Sequence, residues 1–125
     1  MVELKLGQIR IYLWSSAVSI QDMEGNLSKA SGLLKAMCNQ TRLEILCKLA
    51  QGEMSVGALT EGSGLTQSGL SQHLGRLRRD GLVKTRRDRQ TIYYSVQSDE
   101  VQSVLNALYG LYCGAEEKGE IRAAA

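Results

Sequence analysis

The chain has 125 residues, 43% hydrophobic and 22% charged, which suffices for one buried core and is unlike the composition of a disordered protein. No apolar run approaches the roughly 20 residues of a membrane span. Three cysteines at irregular spacing argue against a secreted disulfide framework. We therefore expect a single cytoplasmic domain that makes no contact with a membrane.

Residues 1–21 carry the weakest pattern of the chain. Lys5 and Arg10 precede an apolar stretch, as in an export signal, but three serines between positions 15 and 19 interrupt it. We interpret residues 1–21 as a poorly defined N-terminal arm ahead of a domain at 22–114. Residues 115–125 are polar and small, so we expect a flexible C-terminal tail.

Helical periodicity begins at about Asp22, and the apolar residues from Met23 to Met37 recur as on one helix. A second helix is expected to begin at Thr41, because Thr41 and Glu44 have the spacing of a capping box. This second helix is apolar nearly all round, which predicts that it is buried. It is expected to end at Gly52.

A short third helix and a fourth helix follow, joined by a turn that contains glycine. Ser55 is expected to cap the third helix, which runs to about Gly62, and Thr66 the fourth. In the fourth helix Leu70, Leu74 and Leu77 form one apolar stripe, and Gly81 suits the left-handed position after its end. Two helices joined in this way predict a helix-turn-helix whose second helix reads DNA.

The outward face of that helix carries short, uncharged side chains that can form hydrogen bonds with base edges in a major groove. These candidate base-contacting residues are Gln67, Ser68, Ser71 and Gln72. Between positions 76 and 89 the chain then has seven basic and two acidic residues, although the whole chain carries only +2. Such focused positive charge is typical of a phosphate-binding surface. The alternative is an ordinary amphipathic helix with a solvated basic end.

A period of two residues after Gly81 predicts a hairpin with strands at about 83–87 and 92–96 and a turn at 88–90. A basic hairpin directly after a reading helix is typical of a wing. We expect Arg87 and Arg89 to contact phosphate or the minor groove. The fold class is therefore mainly α with a small β-hairpin wing, a winged helix-turn-helix.

A last helix is expected from Asp99 to about Gly114. It and the first helix have more apolar surface than a compact DNA-reading unit needs. We expect them to form the seam of a two-fold homodimer, because a reader of palindromic DNA needs a partner about one helical turn away. The alternative is that both helices simply close the core of a monomer.

The motifs of residues 22–115 resemble the ArsR/SmtB family of transcription regulators. The resemblance rests on segments in the family's order: Leu33–Met37, Thr41–Leu43, Ser55–Leu59, Leu70–Leu74, Leu77–Val83 and Arg89–Tyr94. It implies a dimeric winged helix-turn-helix that binds double-stranded operator DNA. The chain departs from the pattern at Cys38-Asn39-Gln40, which replaces a small residue and proline. Gly69 and Gly75 are also poor helix formers within the reading helix.

Many members of this family sense metals, but the corresponding ligands are missing here. Where arsenic and cadmium sensors have Cys-x-Cys, this chain has Ser55-Val56-Gly57. Zinc sensors use Asp and His on the last helix, and the single histidine of this chain, His73, lies in the reading helix. Transition-metal sites need several thiolate or imidazole ligands. The sequence therefore predicts no metal site and no cofactor.

Cys47 and Cys113 instead resemble the cysteine pair of the sulfide- and redox-responsive BigR/SqrR/HlyU-like subgroup. The resemblance implies that reactive sulfur species or oxidants link the two thiols within a subunit, as a disulfide or a longer sulfur bridge, and change DNA affinity. Three alternatives stay open. They are a metal-responsive repressor with an atypical site, a DNA-binding regulator or antirepressor with inert cysteines, and a thiol enzyme. The enzyme is disfavoured because neither thiol has an obvious activating base.

Overall fold

The computed structural model of the protein describes residues 19–114. Residues 1–18 of the predicted arm at 1–21, and the whole predicted tail at 115–125, lie outside the described residues. The chain separates into two compact units, Met1–Leu34 and Lys35–Ala125. Within residues 19–114, no helix is long and apolar enough to cross a membrane.

The first helical stretch is divided into two helices, α1 at Ile20–Glu24 and α2 at Leu27–Met37. The prediction of one continuous helix from Asp22 is therefore wrong in two respects. The helix begins at Ile20, where the Asp22 backbone amide donates to the Ser19 side chain. It breaks at Gly25 and Asn26, two residues that stabilise a helix interior poorly.

Helix α3 spans Gln40–Ala50 and begins one residue earlier than predicted. Its N-cap is Asn39, whose side-chain oxygen accepts from the Arg42 backbone amide at 3.0 Å. The predicted capping box at Thr41 is wrong, because asparagine is among the strongest N-cap residues and precedes the threonine. Arg42 Nε also donates to the Ala36 carbonyl at 2.7 Å, which satisfies one of the last carbonyls of α2.

Helix α3 is also less buried than its composition predicts. Ile45, Leu46 and Leu49 form its buried face, while Glu44 and Cys47 are exposed. The prediction that the whole helix is buried is therefore wrong. The surrounding elements cover only one face of α3, so apolar side chains on its other faces are not buried.

Strand β1 at Met54–Ser55 and helix α4 at Val56–Glu61 lead to the reading helix, α5, at Gln67–Arg79. The predicted caps are confirmed. The Ala58 amide donates to Ser55 Oγ at 3.1 Å, and the Gly69 amide donates to Thr66 Oγ1 at 3.0 Å. After α5, Gly81 has a φ of 80°, a left-handed conformation that glycine adopts without a steric penalty.

Strands β2 at Val83–Asp88 and β3 at Thr91–Val96 form the predicted hairpin. Each strand is one residue longer than predicted, so the turn has two residues, Arg89 and Gln90. Strand β1 pairs antiparallel with β3, which gives a three-stranded sheet in the order β1-β3-β2. The sequence did not predict β1, since two residues are too few to show an alternating pattern.

The second unit has its core beneath α5. Seven large side chains of the described residues are fully buried there: Leu46, Leu59, Leu70, Leu74, Leu77, Val83 and Val101. The predicted leucine stripe of α5 is thus confirmed. Burial of each leucine contributes about 1.5–3 kcal/mol, which fixes the face that α5 presents to the core and hence the face it presents outward.

The last helix, α6, spans Asp99–Tyr109, and a π-helical turn at Gly110–Gly114 follows it. Its N-cap is Ser98, whose Oγ accepts from the Val101 amide at 3.2 Å. The prediction of one regular helix to Gly114 is wrong in its last turn. The wider turn changes the direction of the side chains that follow Tyr109, including the Cys113 thiol.

Candidate nucleic-acid interface and thiol pair

The outward face of α5 holds the four candidate base-contacting residues. Gln67, Ser68, Ser71 and Gln72 are all exposed. Ser68, Ser71 and Gln72 lie away from the buried leucines, whereas Gln67, three residues before Leu70, lies at the N-terminal end of the leucine face. Thr66 caps this end of the helix, so the exposed polar residues occupy its first turns. This is the end that a reading helix directs toward base edges.

The two glycines of α5 have different surroundings. A Cβ atom at Gly69 would lie 3.3 Å from Thr66 Oγ1, so the glycine leaves room for the N-cap hydroxyl. At Gly75 a Cβ atom would meet no atom of the described residues within 4 Å. Gly75 lies one turn after Ser71 and three residues after Gln72, hence on the same exposed face. Packing within the subunit therefore does not explain the absence of a side chain at Gly75.

The basic residues of positions 76–89 are not equivalent. Arg87 and Arg89 are exposed, and Arg89 occupies the hairpin turn with a φ of 63°, a conformation uncommon for residues other than glycine. Arg76 instead pairs with Asp80 at 3.0 Å. Arg86 pairs with Glu53, a partner that charge counting along the sequence did not identify. Two of the seven basic residues at positions 76–89 thus have a carboxylate partner within the subunit.

The two candidate sensing cysteines both lie in the second unit. Cys47 is exposed on α3, and Cys113 is exposed in the π-helical turn after α6. Partial burial raises the pKa of the Cys47 thiol above its ordinary value, and the nearby Cys113 and Glu44 raise that pKa further. Cys113 is therefore near enough to Cys47 to contribute to the pKa of the Cys47 thiol. Cys38, also exposed, precedes α3.

Within residues 19–114, no group of three or more His, Cys, Asp or Glu side chains is arranged to hold a metal ion. His73 lies half-buried within α5, between the reading face and the leucine stripe.

Comparison with known proteins assigns the chain to a family. Residues 39–85 match the family described as bacterial regulatory protein, arsR family. The transcriptional activator HlyU of Vibrio cholerae is 50% identical over 106 residues, which cover 85% of this chain and 98% of HlyU. This chain belongs to the ArsR family. It is a DNA-binding transcriptional regulator, and its relatives are regulators, not enzymes.

Further relatives place this ArsR-family regulator beside the BigR- and HlyU-like proteins. The biofilm growth-associated repressor of Xylella fastidiosa is 39% identical over 98 residues, or 78% of this chain and 86% of the repressor. The structure of reduced HlyU from Vibrio cholerae is 54% identical, covers 74% of this chain and 98% of its own, and superposes with a TM-score of 0.70. The structure of BigR from Xylella fastidiosa is 38% identical in sequence and superposes with a TM-score of 0.73. The match covers 77% of this chain and 98% of the BigR chain.

The assignment supports the winged helix-turn-helix fold class predicted from the sequence. Regulators of the ArsR family bind DNA and are typically dimeric. The matched segment 39–85 contains α3, α4, all of α5 and the first residues of the wing. It ends before Arg87, Arg89 and Cys113, so the family match does not extend to these three residues.

Proposed function

We propose that this ArsR-family protein is a cytoplasmic homodimer that reads operator DNA with α5 and the wing, and whose operator affinity is controlled by Cys47 and Cys113. The observation that carries the proposal is that two exposed thiols, one on α3 and the other after α6, lie in the same unit and that Cys113 is one cause of the raised pKa of Cys47. Helix α3 contacts the reading helix α5, and Leu46 of α3 is fully buried. A link between the thiols would therefore couple the end of α6 to the DNA-binding body.

The DNA-reading part of the proposal assigns base contacts to Gln67, Ser68, Ser71 and Gln72, and backbone or minor-groove contacts to Arg87 and Arg89. Exposure of all six residues and burial of the opposite face of α5 support it. Gln72→Ala should cost about 1–3 kcal/mol on the cognate site and reduce discrimination between sites. Fluorescence anisotropy with cognate and random duplexes measures both effects. Equal losses on the two duplexes would contradict the assignment.

The homodimer is supported by apolar side chains that the single subunit leaves exposed. In the second unit these are Tyr109, Leu111 and Tyr112, with exposed fractions of 54%, 66% and 70%. In the first unit, Leu27 and Leu34 of α2 are exposed by 50% and 56%. Exposed apolar groups of this size are typical of protein interfaces.

The thiol reaction can be written with two kinds of oxidant. With a peroxide, one thiolate attacks the peroxide oxygen to give a sulfenic acid, and the other thiol displaces water to form the disulfide. With persulfide donors, each cysteine accepts one sulfane sulfur and the donor leaves as a thiol. The outer sulfur of one cysteine persulfide then attacks the inner sulfur of the other. Hydrogen sulfide leaves with the electron pair, and a trisulfide joins the two residues.

The test of the switch combines mass spectrometry with DNA binding. After treatment with an organic persulfide, mass spectrometry should show an intramolecular link between Cys47 and Cys113, with or without added sulfur. We expect operator affinity to fall by about 5–150-fold, a coupling of 1–3 kcal/mol. Cys47→Ser and Cys113→Ser should each abolish the response, and Cys38→Ser is the matched control that should retain it. Complete linkage with unchanged DNA binding would leave both cysteines without a sensing role.

A further inference from the structure

A row of side chains crosses one face of the three-stranded sheet. Arg86 of β2 is the register partner of Tyr93 of β3, and Tyr93 is also the partner of Ser55 in β1. Residues paired across antiparallel strands lie on the same face of a sheet. The Arg86 guanidinium carbon lies 4.6 Å from the centre of the Tyr93 ring, within the range of a cation–π contact.

The guanidinium of Arg86 extends over this ring, across β3, to the carboxylate of Glu53 at the opposite edge of the sheet. Arg86 Nε donates to one Glu53 oxygen at 2.9 Å, and a terminal nitrogen donates to the other oxygen at 2.9 Å. Glu53 immediately precedes β1. Arg86 thus joins the outer strand of the wing to the segment that leads through β1 into α4.

From this geometry we infer that Arg86 is a positioning residue, which holds the wing to β1 through Glu53 and is withheld from the DNA phosphates. The next residue, Arg87, is the register partner of Ile92. Because successive side chains of a strand point to opposite faces, Arg87 projects from the other face of the sheet. Two consecutive arginines of the wing therefore have different roles. Arg86 fixes the wing relative to the helix-turn-helix, and Arg87 remains available for a phosphate.

The electrostatics of the pair agree with this division. Hydrogen bonding to Arg86 lowers the pKa of the Glu53 carboxyl below its ordinary value, so the carboxylate stays charged at neutral pH. Stabilisation of this kind is present above the ordinary carboxyl pKa and is lost as the pH falls through the lowered one. Both oxygens of Glu53 are occupied by a fork of two donors, a geometry that lysine cannot reproduce.

The salt dependence of DNA binding separates a phosphate contact from a positioning residue. Each phosphate that a side chain neutralises adds about 0.9 to the slope of the logarithm of affinity against the logarithm of salt concentration. Loss of a phosphate contact therefore reduces the slope. Loss of an ion pair within the protein lowers DNA affinity by a similar factor at every salt concentration and leaves the slope unchanged.

The experiment uses the full-length protein and a fluorescein-labelled duplex that the protein selects from a random pool. Arg86→Ala should weaken binding by about two- to fivefold, the range expected of an exposed ion pair, with an unchanged salt slope. Arg86→Lys should behave like Arg86→Ala, because the ammonium keeps the charge but not the forked geometry. Arg87→Ala is the matched control and should reduce the slope by about one.

Glu53→Gln provides a second route if Arg86→Ala fails to fold, which circular dichroism would show. It removes a negative charge and leaves Arg86 intact, so a phosphate-contacting Arg86 would bind DNA equally well or more tightly. If Arg86 instead acts through its ion pair with Glu53, Glu53→Gln should weaken DNA binding and leave the salt slope unchanged. The inference is overturned if Arg86→Ala flattens the slope as Arg87→Ala does, if Arg86→Lys restores affinity, or if neither variant at these two positions weakens binding.

Discussion

Cys47 shows how strongly the surroundings of a single residue decide its chemistry. A helix with apolar residues on most of its circumference predicted a buried thiol, but Ile45, Leu46 and Leu49 occupy the buried face and Cys47 is exposed. The choice among several apolar residues depends on which neighbours pack against the helix, and a helical period alone does not specify that. The raised pKa of Cys47 keeps most of its thiol protonated at neutral pH.

Replacement of Cys113 should therefore change the titration of Cys47. Burial is the largest cause of the raised Cys47 pKa, and Cys113 is the next. In Cys113→Ser the Cys47 pKa should fall toward its ordinary value and remain above it, so the thiolate forms at lower pH. Alkylation rates of Cys47 measured against pH, on a Cys38→Ser background, should show a midpoint shifted to lower pH. An unchanged midpoint would show that the two thiols do not influence each other.

At the scale of the helix, the beginning of α3 tests which residue provides its cap. Asn39 accepts the Arg42 amide, so Asn39→Ala should lower the free energy of unfolding by about 1 kcal/mol. Thr41→Ala is the matched control and should change it much less, because Thr41 already lies inside the helix. Urea unfolding of both variants measures the difference. A larger loss from Thr41→Ala would restore the capping box predicted from the sequence.

Gly75 illustrates a conflict between helix stability and the use of its surface. Gly75→Ala should stabilise α5 by up to about 1 kcal/mol, since the added methyl group meets no atom of the described residues within 4 Å. The same methyl group would lie on the reading face, so DNA binding should weaken. Thermal unfolding and fluorescence anisotropy measure the two effects.

Gly69→Ala is the comparison for this variant. Its methyl group would lie 3.3 Å from the Thr66 hydroxyl, so the N-cap must shift and the gain in stability should be smaller. An increase of both stability and DNA affinity in Gly75→Ala would mean that DNA does not approach this face.

At the scale of the molecule, sequence patterns predicted the elements of the winged fold better than they predicted contacts between distant residues. The buried leucines of α5, the caps at Ser55 and Thr66 and the hairpin follow from local periods and propensities. The pairing of Arg86 with Glu53 joins residues 33 positions apart, and strand β1 exists only because β3 lies beside it. Such features depend on the assembled sheet. For the same reason the charge count at 76–89 did not reveal that Arg86 has a carboxylate partner.

The proposed homodimer can be tested at the apolar surface beyond α6. Leu111→Glu places a charge on a side chain that is 66% exposed, so the subunit should fold normally while association is disrupted. Sedimentation should show a monomer, whereas Ser103→Glu, at an exposed polar position of α6, should remain dimeric. Affinity for a palindromic duplex should fall by about 10²–10⁴-fold, because two linked reading helices bind with avidity that one lacks. A Leu111→Glu protein that still sediments as a dimer would place the interface elsewhere on the subunit.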